Sequence, residues 1–137
     1  MKMVVADVKA GKSFQKDVPA DKESFLAGKK IGDDLDGGIV GLEGYKLKIT
    51  GGSDNAGFPM RHDIRGQRRT RALLAKGPGV RGLPKGQHEK KLVVGGSVSP
   101  TTNQVNAKIL EYGSKTLADL GVVYKEKVKE AKPAEAA

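Results

Sequence analysis

Positive charge is the chemical resource that this sequence concentrates. Between residues 61 and 91 stand Arg61, Arg65, Arg68, Arg69, Arg71, Lys76, Arg81, Lys85, Lys90 and Lys91, opposed by Asp63 and Glu89, a net of +8 within a chain of +9. Every arginine of the protein lies in this segment. A solubilising surface mixes both signs and uses lysine freely. Arginine instead offers a planar fork that grips phosphate oxygens in pairs and is less tightly hydrated than an ammonium group. The segment contains no Phe, Tyr or Trp, so it lacks the stacking platforms of single-strand binders. The composition therefore predicts phosphate-led contact with folded RNA, through shape and 2′-hydroxyls, with little direct reading of bases. Glycines at 66, 77, 79, 82 and 86 would let backbone amides approach phosphates closely.

Other spacings that suggest chemistry do not survive inspection. Gly77, Gly79 and Gly82 match the G-x-G-x-x-G of dinucleotide-binding loops, but Leu83-Pro84-Lys85-Gly86 cannot open the helix that holds the pyrophosphate. Gly11-Lys12-Ser13 looks like the end of a P-loop, yet the first glycine of that motif would fall on Ala6, so a hairpin turn is expected. Asp33, Asp34 and Asp36 lack the ordered ligands and late glutamate of a calcium loop and read as a solvated turn. His62 and His88 are 26 residues apart with no cysteine in the chain, which argues against zinc, and no nucleophile pairs with either. No catalytic residue, cofactor, metal or small-molecule substrate is expected.

The elements that must carry the basic segment are short. At 137 residues, 37 % apolar and with 19 glycines, the chain suits one compact domain with a modest core and many turns. The absence of cysteine removes any disulfide framework. The N-terminus has too few consecutive apolar residues for a signal peptide or membrane span, so a cytoplasmic location is expected. Met3 to Val8 and Ser13 to Val18 read as a hairpin, followed by a short helix capped by Asp21 and ended by Gly28. Gly32 to Gly44 reads mostly as loop, and Tyr45 to Thr50 as a half-buried strand by its alternation. Arg69 to Ala75 is compatible with strand or helix. Leu92 to Val98 and Gln104 to Tyr112 read as a second hairpin, and Thr116 to Leu120 as one helical turn. The expected fold is mainly β: a small, partly closed barrel of about five or six short antiparallel strands with one or two short helices, since closure removes exposed edges. Residues 1–121 form the single domain, and 122–137 a charged, Ala-rich tail with little apolar surface to dock.

One run carries a family likeness. "GYKLKITGGSDNAGFPMRHDIRG" resembles the signature of the archaeal and eukaryotic small-subunit ribosomal protein six family, with its Gly-Gly-x-Asp-x-x-Gly-Phe-Pro-Met core. "DDLDG", "AKGPGVRG" and "NAKILEYG" follow the family's order, so the likeness spans roughly residues 1–121. By position, Gly51, Gly52, Asp54, Gly57, Phe58, Pro59 and Met60 form the signature loop. The resemblance implies a β-barrel body, no catalysis, and a structural role in the cytoplasmic ribosome through ribosomal RNA and neighbouring ribosomal proteins. Arg61, Arg65, Arg68, Arg69, Arg71, Lys76, Arg81 and Lys85 would then face RNA, with Lys90 and Lys91 beside them. The chain departs from the family at "GQHEKKLVVGG", where Gln87, His88 and Glu89 stand among expected basic residues. The phosphorylated serine-rich C-terminal helix of eukaryotic members is not carried over. A free-standing RNA-binding or RNA-chaperone module outside the ribosome is the alternative.

Overall fold

A computed structural model describes residues 1–122 and Tyr124. Seven strands are present among them: β1 (Lys2–Asp7), β2 (Lys12–Asp17), β3 (Asp34–Asp36), β4 (Lys46–Asp54), β5 (Arg69–Leu74), β6 (Glu89–Val94) and β7 (Thr102–Glu111). One helix, α1 (Ala20–Leu26), and a single 3₁₀ turn, Gly37–Val40, complete the regular structure. The apolar positions of β1 alternate, burying Met3 and Val5, and the hairpin to β2 sets Phe14 opposite Val5. Period-two burial of this kind leaves one sheet face to the core.

The large sheet has the order β2-β1-β7-β4-β3, and β5 and β6 form a separate two-stranded ribbon. The expected barrel is not observed: the five-stranded sheet is open, with β2 and β3 as its edges. Nor are all pairs antiparallel, because β1 runs parallel to β7. The expected second hairpin is also replaced. Strand β6 pairs with β5, while β7 pairs with β1 and β4. The cause lies in Gly95 and Gly96 between them. A Cβ on Gly95 would stand 2.1 Å from the Gly66 carbonyl oxygen, so this stretch runs against backbone 61–66 and cannot turn directly into β7. The undecided segment Arg69 to Ala75 is strand, paired along its length with β6.

Helix α1 starts after Pro19, whose fixed φ suits a helix entry, and it has no side-chain cap. Asp21 sits in the first turn rather than at the cap, and Glu23 receives the N-terminal ammonium instead. Its fully buried residue Leu26 joins Leu42, Leu47, Ile49 and Val98 in the core. The acidic connection is structural: Asp33 accepts from the Lys30 amide (2.8 Å), and Asp36 caps the 3₁₀ turn through the Gly38 amide (3.2 Å).

A polar network ties the two ends of the described chain together. Asp7, 6 % exposed, accepts from the hydroxyls of Tyr112 (2.6 Å) and Tyr124 (2.8 Å) and from the amides of Lys9 and Ala10. Tyr124 also packs edge-on to Phe14, and Val122 is buried. Val122 and Tyr124 of the expected tail are therefore packed against the domain; residue 123 and residues 125–137 lie outside the described residues. Burial alone would raise the Asp7 carboxyl, but the two hydroxyls and two amides outweigh it and lower its pKa below the ordinary 3.8. Tyr124 is pushed up to about 12, first by burial and then by its bond to Asp7. Because the folded value of Asp7 is depressed, its stabilisation is present above 3.8 and is lost as pH falls through the folded value. Asp7→Asn should cost about 1–3 kcal/mol at pH 7, and urea unfolding across a pH series should show the gap from wild type narrowing as pH falls below 3.8.

Candidate nucleic-acid interface

The basic segment leaves the sheet through the signature loop, and that loop is organised by one carboxylate. Asp54, at the end of β4, is 3 % exposed. Its Oδ1 accepts from the amides of Ala56 (3.0 Å) and Phe58 (2.9 Å), which folds residues 54–58 into a tight turn. Its Oδ2 accepts from Nε of Arg69 at 2.6 Å. Arg69 donates further to Asn55 (3.0 Å) and lies over the Phe58 ring at 5.2 Å. Burial alone would raise the Asp54 carboxyl; the Arg69 guanidinium and the two amides overcome that and hold its pKa low.

After the turn, residues 59–61 run between the two sheets. The Met60 amide donates to Gly52 on β4 (2.9 Å), the Val94 amide to Pro59 (2.9 Å), and the Arg61 amide to Val94 on β6 (3.0 Å). Met60, 2 % exposed, anchors this crossing in the core. The crossing requires glycine beneath it. A Cβ on Gly52 would stand 2.4 Å from the Gln104 carbonyl oxygen and 3.0 Å from the Met60 sulfur. Gly51, Gly57, Phe58 and Pro59 complete the loop, with Pro59 bridged to Ser53.

The arginines fall into two groups. Arg61 is turned inward and is 7 % exposed. Its Nε and one terminal nitrogen make a bidentate pair with Asp63 (2.9 and 2.8 Å), and the other donates to the carbonyls of Lys76 (3.2 Å) and Pro78 (2.9 Å). This partner holds the Asp63 carboxyl down at about 2. Arg61 thereby closes the loop after β5 onto the segment before it, and Arg69 fixes β5 to the signature loop. Arg65, Arg68, Arg71, Lys76, Arg81, Lys85 and Lys90 are exposed. Lys91 is half-buried and pairs with Glu89 at 3.2 Å. No helix follows Gly77–Gly82, so the dinucleotide motif has no structural counterpart there.

Composition did not single out Lys30. It comes from the charge-neutral N-terminal part of the chain, yet it lines one cleft with His62 and Arg65. Nothing in the spacing signals this; the antiparallel bridge from Lys30 to Ser97 produces it. Among the described residues no group of three or more His, Cys, Asp and Glu is placed to hold a metal ion, and no helix is long and apolar enough to cross a membrane.

A family model described as Ribosomal protein S6e matches residues 1–121. The chain belongs to the ribosomal protein S6e family. Its S6e relatives include the Small ribosomal subunit protein eS6 of Methanocaldococcus jannaschii, 49 % identical over 119 residues, which cover 87 % of this chain and 88 % of that protein. The protein of the same name from Methanococcus maripaludis (strain DSM 14266) is 50 % identical over 116 residues, 85 % of this chain and 91 % of that protein. That of Methanoregula boonei is 41 % identical over 137 aligned positions, 96 % of each chain. In this S6e chain the loop from Asp54 to Met60 is thus the connector that sews the ribbon to the main sheet.

This division of the arginines is measurable. Arg61→Gln removes a buried guanidinium that serves the exposed Asp63 carboxylate and two carbonyls, and should destabilise the fold by about 1–3 kcal/mol, whereas Arg68→Gln should stay within about 0.5 kcal/mol of wild type. Denaturant midpoints for the two variants check it.

Proposed function

We propose that this chain is a structural constituent of the small ribosomal subunit and that residues 61–91 bind folded ribosomal RNA. The observation that carries the reading is the set of exposed cations, Arg65, Arg68, Arg71, Lys76, Arg81, Lys85 and Lys90, on a segment braced by Arg61 and Arg69. Bracing matters because a surface ordered before binding loses little conformational freedom when it meets a rigid RNA. The similar archaeal proteins carry small-subunit names, and the family supplies the assembly in which such a surface has a use.

The mechanism is electrostatic and geometric. Exposed guanidinium groups pair with phosphates, releasing counterions, and the ribbon offers its width to a helical groove rather than a string of aromatic platforms. Neighbouring ribosomal proteins complete the setting. No bond is made or broken, and the reading involves no cofactor. Arg61 and Arg69 act here as positioning residues that aim the others.

If the free protein neutralises about five to eight phosphates, its affinity for duplex RNA should fall with salt at a log–log slope of roughly −4 to −7. Replacing Arg68, Arg71 and Arg81 together by Gln should flatten that slope and remove the protein from the small-subunit fraction of a density gradient, while leaving the unfolding midpoint near wild type. Undiminished co-sedimentation of the triple variant would contradict the assignment of these residues.

A further inference from the structure

Beside the ribbon lies a cleft of about 320 Å³, lined by Lys30, Ile31, His62, Ile64 and Arg65 and by the backbone at Gly66, Gly96 and Ser97. That volume is at the small end of ligand sites and too small for an RNA helix. Its character differs from that of the exposed cations. Ile31 and Ile64 are half-buried apolar walls, His62 contributes a planar ring, and Lys30 and Arg65 stand exposed as cations. No acid lines it. Asp63 is engaged by Arg61, and Asp33 accepts from the Lys30 amide.

The walls are fixed by backbone contacts that do not depend on a ligand. The Gly96 amide donates to Ile64 (2.8 Å), the Ser97 amide to Gly66 (3.2 Å), and the Ile31 amide to Gly96 (2.9 Å). A Cβ on Gly96 would lie 2.9 Å from the Arg61 carbonyl oxygen and 3.3 Å from the Cα of His62, so the chain carrying His62 is pressed onto residues 95–97. On either side of His62, Arg61 and Asp63 are bound to each other. The imidazole is therefore mounted on rigid backbone while its ring remains exposed.

Apolar walls, a flat ring and flanking cations suit one part of an RNA in particular: a nucleotide that has left its helix. An unpaired base can stack on histidine as it does on Phe, Tyr or Trp, and its phosphate needs a cation within reach. We propose that this cleft receives a single extruded nucleotide, with the base stacked on His62 between Ile31 and Ile64 and the phosphate held by Arg65 and Lys30. The assignment rests on the RNA-binding reading and extends it. The exposed cations see phosphate, whereas this cleft discriminates an unpaired base from a paired one.

The test uses the full chain and two hairpin RNAs that share one stem, one fully paired and one with a single bulged 2-aminopurine. Fluorescence anisotropy should give the bulged RNA tighter binding by about tenfold or more, with 2-aminopurine emission quenched on binding. His62→Ala should abolish both the preference and the quenching while leaving affinity for the paired hairpin unchanged. His62→Phe should retain both, because the ring and not its basicity carries the contact. Lys30→Gln should weaken the bulged RNA more than the paired one. Equal affinity of the wild type for the two RNAs, or a preference that survives His62→Ala, would overturn the nucleotide site while leaving the wider RNA reading intact. Failure to bind either RNA would overturn both. Thermal unfolding of each variant at the wild-type midpoint confirms that the cleft was altered and not the fold.

Discussion

The buried carboxylate of Asp54 is the interaction on which the rest of the architecture turns. It ends β4, folds the loop that follows by accepting two amides, and reaches across to the guanidinium of Arg69 on β5. A buried carboxylate without partners is strongly unfavourable, and here its lone pairs are taken by backbone and by a charged donor. The consequence is directional. The chain can leave the large sheet in one way only, and the ribbon that bears the positive charge is set down at a defined place beside it.

From that point a second clamp operates. Arg61 gathers Asp63 and the carbonyls of Lys76 and Pro78, so residues before and after β5 are held by one guanidinium. Arginine suits the task because its fork supplies several donors in fixed geometry, which lysine does not. The segment's charge therefore divides into an inward part that shapes and an outward part free to meet an anion. A two-stranded ribbon is marginal when isolated. Here Arg61 and Arg69, the crossing at Met60 and the close backbone approach at Gly95 and Gly96 hold it beside the main sheet.

Elsewhere the same economy recurs. Asp7 collects two tyrosine hydroxyls from the segment that follows the last strand, in the way Asp54 collects the signature loop and β5. In both cases a carboxylate at the end of a strand fastens down a segment that lies outside the sheet ladder. The modest apolar core is thus supplemented by ion-dipole contacts that are directional, and this favours one arrangement of short strands over competing pairings.

Much of the protein was legible in its residues. Alternation in β1 and β4 follows from the two-residue period of a pleated strand, and Met3, Val5, Leu47 and Ile49 are buried as that period requires. The concentration of arginine and the signature run from Gly51 to Met60 pointed to the family because they are local in sequence. Pairing was not local. The choice of β5 as the partner of β6, the parallel contact of β1 with β7, and an open sheet in place of a barrel depend on which backbones can approach one another. The close approaches at Gly52, Gly95 and Gly96 show this where β4 meets β7 and where residues 61–66 meet residues 95–96. Nor did composition separate Arg61 and Arg69 from the other arginines, since a guanidinium turned toward Asp63 or Asp54 reads the same in one dimension as one facing water. Residue types determined the charge, the strand faces and the family; only the tertiary structure decided which charges are spent on holding the fold and which, with Lys30 brought in beside His62, remain to face a partner, because burial and hydrogen bonding are properties of neighbours in space.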